Sequence, residues 1–237
     1  DAHDWRLLDR EPLPQGKLPT GIDKSDVYVA DVTNKQAVVE AARGCEVIIH
    51  LAGDPRPNAP WESVLRNNID GTKTVLDAAV DVGVEKVAFA SSNHAVGFYE
   101  DERKPDIYRD HDDYRLNGTE LPRPTNLYGV SKATGETLAR YYHDEHDLSV
   151  VCVRIGNLTE SHPPRNYERG QAMWLSYTDC SHLFDCCVTA DYGYEIVYGI
   201  SDNDRKYYSI ETAREVLGYE PRDNSADYHL DGTPKDD

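Results

Sequence analysis

The sequence predicts an α/β protein built on a parallel, doubly wound sheet. Three features of the 237-residue chain point to this class. Short apolar runs alternate with longer helical stretches, the runs end in acidic or small residues, and no linker or repeat divides the chain. One domain is therefore expected over 1–237, with residues from about 157 onwards forming a small C-terminal lobe on the sheet.

The elements follow in order. Residues 5–8 (WRLL) form a strand ending at Asp9, and 27–30 (VYVA) a second ending at Asp31. Residues 34–43 read as a helix stopped by Gly44, and 46–51 (EVIIHL) as a buried strand running into Ala52 and Gly53. A helix is expected over 64–82, with Gly83 at its C-terminal end. The strand 86–90 (KVAFA) leads into Ser91, Ser92, Asn93 and His94, a long helix covers 128–143, and a strand covers 148–155. Beyond Gly156 the pattern weakens to a helix over 174–187, a strand over 194–198 and a helix over 209–217.

Composition bounds the function. The 43 Asp+Glu against 25 Lys+Arg give a formal charge of −18. Such a field repels nucleic acid and anionic membranes, so neither is an expected partner. No apolar run approaches the ~18 residues needed to cross a bilayer. A content of 39% hydrophobic residues with 16 Tyr argues for a packed domain over disorder. The acidic residues are spread along the chain and lysines are few, as expected of a salt-adapted surface whose self-repulsion strong salt screens. The five cysteines lack metal or disulfide spacing, and no export leader opens the sequence, so a reducing, cytoplasmic location is expected. His143 to His146 and the His111-Asp112-Asp113 loop read as solvated surface, and no metal is expected.

An acid closing the second strand of a Rossmann-type sheet can hold the adenosine ribose of a dinucleotide, about 20 residues beyond a glycine-rich phosphate loop. Asp9 has that setting, yet only eight residues precede it. The glycine loop and the first strand are therefore expected to lie outside this chain. The carboxylate favours NAD over NADP, whose 2′-phosphate meets like charge, although Arg10 beside it weakens the preference.

Tyr128 and Lys132 open a helix one turn apart on one face, a spacing that brings an ammonium near a phenol. A nearby positive charge lowers a tyrosine pKa towards working pH. Ser92, at the end of an upstream strand, is placed to hydrogen-bond the reacting oxygen.

Together Asp9, Asp31, His50-Leu51-Ala52-Gly53, Asn68-Ile69-Asp70-Gly71-Thr72, Ser92 and Tyr128-x3-Lys132 resemble the extended short-chain dehydrogenase/epimerase family across nearly the whole chain. The resemblance implies NAD as cofactor, Tyr128 as general base, Lys132 as the residue that lowers its pKa and holds the nicotinamide ribose, and Ser92 as the group that positions the substrate hydroxyl. It also implies that Asp9, Asp31, Val32, Leu51, Ala52, Gly53, Asn68 and Ile155 line the cofactor groove, and that copies can pair through helices like the one carrying Tyr128. Within the family, the stretch from Ser91 to Tyr99, residues 153–156 and Arg169 before Met173 are similar to the uronate dehydrogenases. By that likeness Ser92, Asn93 and His94 bind sugar hydroxyls and Arg169 the anionic end. The segments 50–61 (HLAGDPRPNAPW), 91–99 (SSNHAVGFY), 169–177 (RGQAMWLSY) and 198–209 (YGISDNDRKYYS), with the acidic composition, most resemble the haloarchaeal NAD-dependent glucose-6-phosphate dehydrogenases.

The expected reaction is oxidation of C1 of a hexose bearing an anion at C6, to its lactone. His162, Arg165 and Arg169 carry more positive charge than one carboxylate requires, which favours phosphate. Asn157 either faces the pocket or caps its loop. Three alternatives stay open: a hexuronate substrate, a nucleotide-sugar 4-epimerase that makes no net NADH, and a non-catalytic NAD sensor. The short stretch after residue 157 disfavours the epimerase, and the presence of Ser92, Tyr128 and Lys132 disfavours the sensor.

Overall fold

The computed structural model describes residues 3–14, 18, 21–108, 113–159, 163, 168–229, 233 and 235. Its centre is a four-stranded parallel sheet formed by β3 (Val47–His50), β4 (Lys86–Ser92), β5 (Ser149–Ile155) and β8 (Tyr194–Gly199), adjacent in that order. The β1 (Leu7–Asp9) and β2 (Val27–Val29) strands form a separate parallel pair with Leu8 opposite Tyr28. A third parallel pair joins β6 (Asn157–Thr159) to β7 (Trp174–Ser176).

The central sheet is covered on both faces because its strands are apolar at nearly every position, the pattern that parallel sheets require. Val87, Phe89, Val150 and Cys152 point to one face, where they pack on Leu76, Ala79, Ala139 and Tyr142. Those four residues come from α3 (Gly71–Val82) and α5 (Leu127–His146). The alternate residues Ala88, Val151, Val153 and Val197 meet Leu183, Cys187, Ala213 and Leu217 on the other face. These come from α7 (Tyr177–Thr189) and α8 (Glu211–Leu217). The smaller α1 (Lys35–Ala42) is capped by Asn34, whose side chain accepts from Ala37 N at 3.3 Å. The segment after residue 157 both builds the β6–β7 pair and donates β8 to the central sheet, with Val153 opposite Val197.

Two elements differ from expectation. The single helix over 64–82 is a short α2 (Trp61–Ser63), a π-helical stretch Val64–Asp70, and then α3. Its apolar periodicity cannot distinguish a π-turn from an α-turn, because the two differ by one residue of hydrogen-bond register. Trp174 to Ser176 form a strand, not the start of a helix. All three are buried against Asn157 to Thr159, so tertiary pairing overrides a run whose apolar pattern fits either state. Gly83 takes φ +76°, closing α3 in the left-handed conformation. Among the described residues no helix is long and apolar enough to cross a membrane.

Candidate active site

Ligands of open parallel sheets gather at the carboxyl ends of the strands. Here β4 ends at Ser92, which lies opposite Ile155 at the end of β5. Ser92 accepts from His94 N at 3.2 Å and so turns the chain into the short helices that follow, the second of which is α4 (Gly97–Asp101). Ser92 is also near enough to Tyr128 to pull its phenol pKa down.

Tyr128 stands in the first turn of α5, which Asn126 caps by accepting from Gly129 N at 2.7 Å. A glycine follows Tyr128 because the helix start is pressed on the preceding loop. A Cβ at Gly129 would lie 2.2 Å from the His94 carbonyl oxygen and 3.1 Å from Pro124 Cβ. This close approach sets the His94 ring edge-on to Tyr128, with centroids 5.7 Å apart. The same cap fixes the histidine tautomer. Asn126 turns its amide oxygen to Gly129 N, so its Nδ2 faces His94 Nδ1 at 3.0 Å. An amide nitrogen only donates, so Nδ1 accepts and the neutral ring carries its proton on Nε2. Burial, reinforced by Arg169 and opposed by Glu100, holds the His94 pKa below its ordinary value and keeps the ring neutral.

Lys132 is buried one turn further on. Its Nζ donates to the Ala90 carbonyl at 2.7 Å and lies 5.6 Å from the Tyr128 ring centroid. Burial pulls its pKa down to about 8, against the raising effect of Glu136. Burial pushes the Tyr128 phenol up, Ser92 pulls it back by hydrogen bonding, and the charge of Asp54 pushes it up further. The ammonium is directed at a backbone carbonyl and stands beneath the Tyr128 ring. Behind the site, Ser91 donates to Glu136 at 2.6 Å, and Glu136 takes both Nε and Nη2 of the fully buried Arg154 at 2.9 Å. Removing one partner of such a pair costs about 3–5 kcal/mol, so this pair fixes β5 to α5 beside Ser91.

Asn68 is buried and ties three elements together. Its Oδ1 accepts from Asp54 N at 2.6 Å, and its Nδ2 donates to the Asp54 carbonyl at 3.1 Å and to Ser131 Oγ at 2.9 Å. Gly53 takes φ +156°, and a Cβ there would approach Asn68 Oδ1 to 3.0 Å. Gly71 likewise leaves room for Val32, whose Cγ1 would be 2.8 Å from an added Cβ. Leu51 is exposed beyond the strand, Ala52 half-buried and Asp9 exposed. Asp31 is half-buried and engaged. Thr33 donates to it from N at 2.9 Å and from Oγ1 at 2.7 Å, and Arg66 Nη2 at 2.8 Å. Those hydrogen bonds hold its carboxyl at about 2.

The NAD dependent epimerase/dehydratase family matches residues 1–176. This chain belongs to that family. It is 71% identical over 238 residues to the NAD-dependent glucose-6-phosphate dehydrogenase of Haloferax volcanii, covering all of this chain and 91% of that one. It is 34% identical to the uronate dehydrogenase of Pseudomonas syringae, over 94% of this chain and 74% of the relative. The structure is similar to that of a mutant uronate dehydrogenase from Agrobacterium tumefaciens complexed with NAD. The TM-score is 0.79 at 32% identity, covering 98% of this chain and 81% of that one. The α/β Rossmann-like parallel sheet is that of the family.

Beside His94 lies a cavity of about 700 Å³, lined also by Gly97, Glu100, Asp101, Lys104, Tyr108, Glu168 and Arg169. Arg169 stands on α6 (Glu168–Ala172). Its Nε pairs with the buried Glu100, which also accepts from Tyr108, and its Nη2 donates to Asn93 Oδ1 at 3.1 Å. Asn93 lies between Arg169 and the end of β5. It is buried, and its Nδ2 donates to the Ile155 carbonyl at 2.9 Å, so it braces Arg169 against the end of β5. Asn157 opens β6, donating from its backbone N to the Met173 carbonyl at 2.7 Å, and is not among the residues lining the cavity. His111, Asp112, His162 and Arg165 lie outside the described residues.

Sequence reasoning missed Asn126, Asp54 and Glu100. An asparagine just before a helix start is a capping signal and could have flagged Asn126. Glu100 sits in the acidic run Glu100-Asp101-Glu102, which reads as solvated surface until the fold buries its first member.

Proposed function

We propose that this chain is an NAD-dependent glucose-6-phosphate dehydrogenase, oxidising the C1 hydroxyl to give 6-phosphogluconolactone. The observation that carries the substrate is the 71% identity, spanning the whole chain, to the Haloferax volcanii dehydrogenase of that name. The arrangement of groups supports the chemistry. Tyr128, as the phenolate beside Ser92, takes the C1 hydroxyl proton and becomes the neutral phenol. Ser92 and the Nε2–H of His94 donate to the reacting oxygen and hold it at the phenol. Lys132 keeps positive charge beneath the tyrosine below pH about 8 and holds the nicotinamide ribose. Arg169 takes the anionic end of the sugar, in the lobe formed after residue 157.

The small residues Ala52 and Gly53 suit a dinucleotide. Asp9 accepts from the adenosine ribose, Asp31 and Val32 border the adenine end, and Leu51 to Gly53, Asn68 and Ile155 line the groove towards Tyr128. NAD, when bound, supplies the acceptor for the C1 hydride, and positioning against it provides much of the acceleration.

Steady-state NADH formation in molar KCl, with glucose 6-phosphate and glucuronate compared, tests the assignment. A kcat/KM at least about tenfold higher for glucose 6-phosphate is expected, equivalent to one well-placed charged hydrogen bond. Equal or higher kcat/KM for glucuronate would overturn it.

A further inference from the structure

Arg169 and Lys104 both line the cavity beside His94, but their charges are not equally available. Arg169 is paired through Nε with Glu100, a carboxylate only 3% exposed, and through Nη2 with Asn93. A guanidinium held against a buried carboxylate presents an almost neutral pair to an incoming ligand. It can orient an anion by hydrogen bonding, but it does not balance a phosphate ester, which carries about −1.5 to −2 charges near neutral pH.

Lys104 is placed differently. Its partner Asp101 lies three residues back at 2.8 Å, and both side chains are open to water, at 53% and 39% exposure. Exposed pairs of this kind contribute little and are readily exchanged for a stronger partner. The Lys104 ammonium lies within electrostatic reach of both Glu100 and Arg169, so it stands close to the arginine it would assist. A lysine is a compact point charge suited to phosphate. The chemistry of the two C6 anions also separates them. A uronate carboxylate is C6 itself, whereas a phosphate ester extends beyond C6 by an oxygen and a phosphorus.

We infer that Lys104 is the second half of a phosphate subsite, leaving Asp101 to close with Arg169 on the C6 phosphate of the substrate. This rests on the glucose 6-phosphate reading above and names the residue that selects phosphate over a bare or carboxylate C6. The strong salt expected for this acidic chain leaves contact interactions in place while screening distant charges, so the selection depends on Lys104 touching the phosphate.

The test compares the full chain with Lys104→Gln and Lys104→Arg in one molar-salt buffer, measuring kcat and KM with NAD for glucose 6-phosphate and for glucose. In Lys104→Gln the preference for glucose 6-phosphate over glucose is expected to fall about tenfold, through KM, as one charge-assisted contact is lost. Lys104→Arg is expected to restore most of it. An unchanged preference in Lys104→Gln overturns the subsite, and so does an equal loss with both sugars, which would mark a structural role. Absence of glucose 6-phosphate turnover by the unmodified chain overturns the parent reading along with this one. Turnover with the preference intact in Lys104→Gln overturns this inference alone.

Discussion

At the residue scale, the Asn126 amide holds two neighbours at once, and its orientation decides which proton His94 can offer. The oxygen caps α5 at Gly129 N and the nitrogen faces His94 Nδ1. An Asn126→Asp substitution keeps the cap, because aspartate accepts as well as asparagine at that position. The new oxygen cannot donate to Nδ1, so the imidazole proton moves there and Nε2 loses its donor. The carboxylate also favours the charged ring, so a His94 pKa now held low by burial should rise. This variant is therefore expected to lower kcat/KM about tenfold with stability within ~0.5 kcal/mol of the parent. NMR titration should find His94 protonating at a higher pH. An unmoved His94 titration with full activity would contradict the tautomer assignment. Tyr128, Lys132 and Ser92 are legible in the sequence because a helical turn and a strand end carry their spacing. Glu100 and Asp54 are not, since each becomes part of the site only when the fold buries it beside Arg169 or near Tyr128.

At the element scale, the site depends on how closely the start of α5 approaches the end of β4. Gly129 permits that approach, and an added Cβ would meet His94 backbone atoms at 2.2 and 2.8 Å. Backbone atoms cannot rotate aside as a side-chain tip can. Gly129→Ala should thus cost about 1–3 kcal/mol in urea unfolding, as overpacking does. It should also lower kcat by at least about tenfold, because sub-ångström displacement of a reacting group is costly. Parental kcat in this variant would contradict the packing account. Most elements could be read from periodicity, with ends within a few residues of those observed. There are two exceptions. Val64–Asp70 has a pattern that fits α and π turns alike, and Trp174–Ser176 is an apolar run whose pairing with Asn157–Thr159 makes it a strand. In the first case the outcome matters to the site, since Asn68 belongs to the π-helical stretch.

At the scale of the whole molecule, the charge of −18 is the dominant fact. Its self-repulsion opposes the compact state, and salt screens it over about 3 Å at 1 M against about 10 Å at 0.1 M. The ion pairs that span the surface, such as Lys35–Asp81 and Arg140–Asp144, are exposed and worth little, so screening them loses less than screening the net repulsion gains. Thermal unfolding should therefore move upward between 0.1 and 2 M KCl by at least about 5 °C, which for this chain length corresponds to one or two kcal/mol. A melting temperature that is flat or falls with salt would contradict the salt-adapted reading.

Tyr128 and its neighbours hold C1 of a phosphorylated hexose for hydride transfer to NAD, and isotope transfer tests this most directly. Glucose 6-phosphate deuterated at C1 is incubated with this chain and NAD in molar KCl, and the reduced cofactor is analysed by mass spectrometry. One deuterium is expected in every NADH formed by the parent, with loss of nearly all NADH formation in Tyr128→Phe. NADH formed without deuterium, or formed at the parental rate by Tyr128→Phe, would contradict that claim.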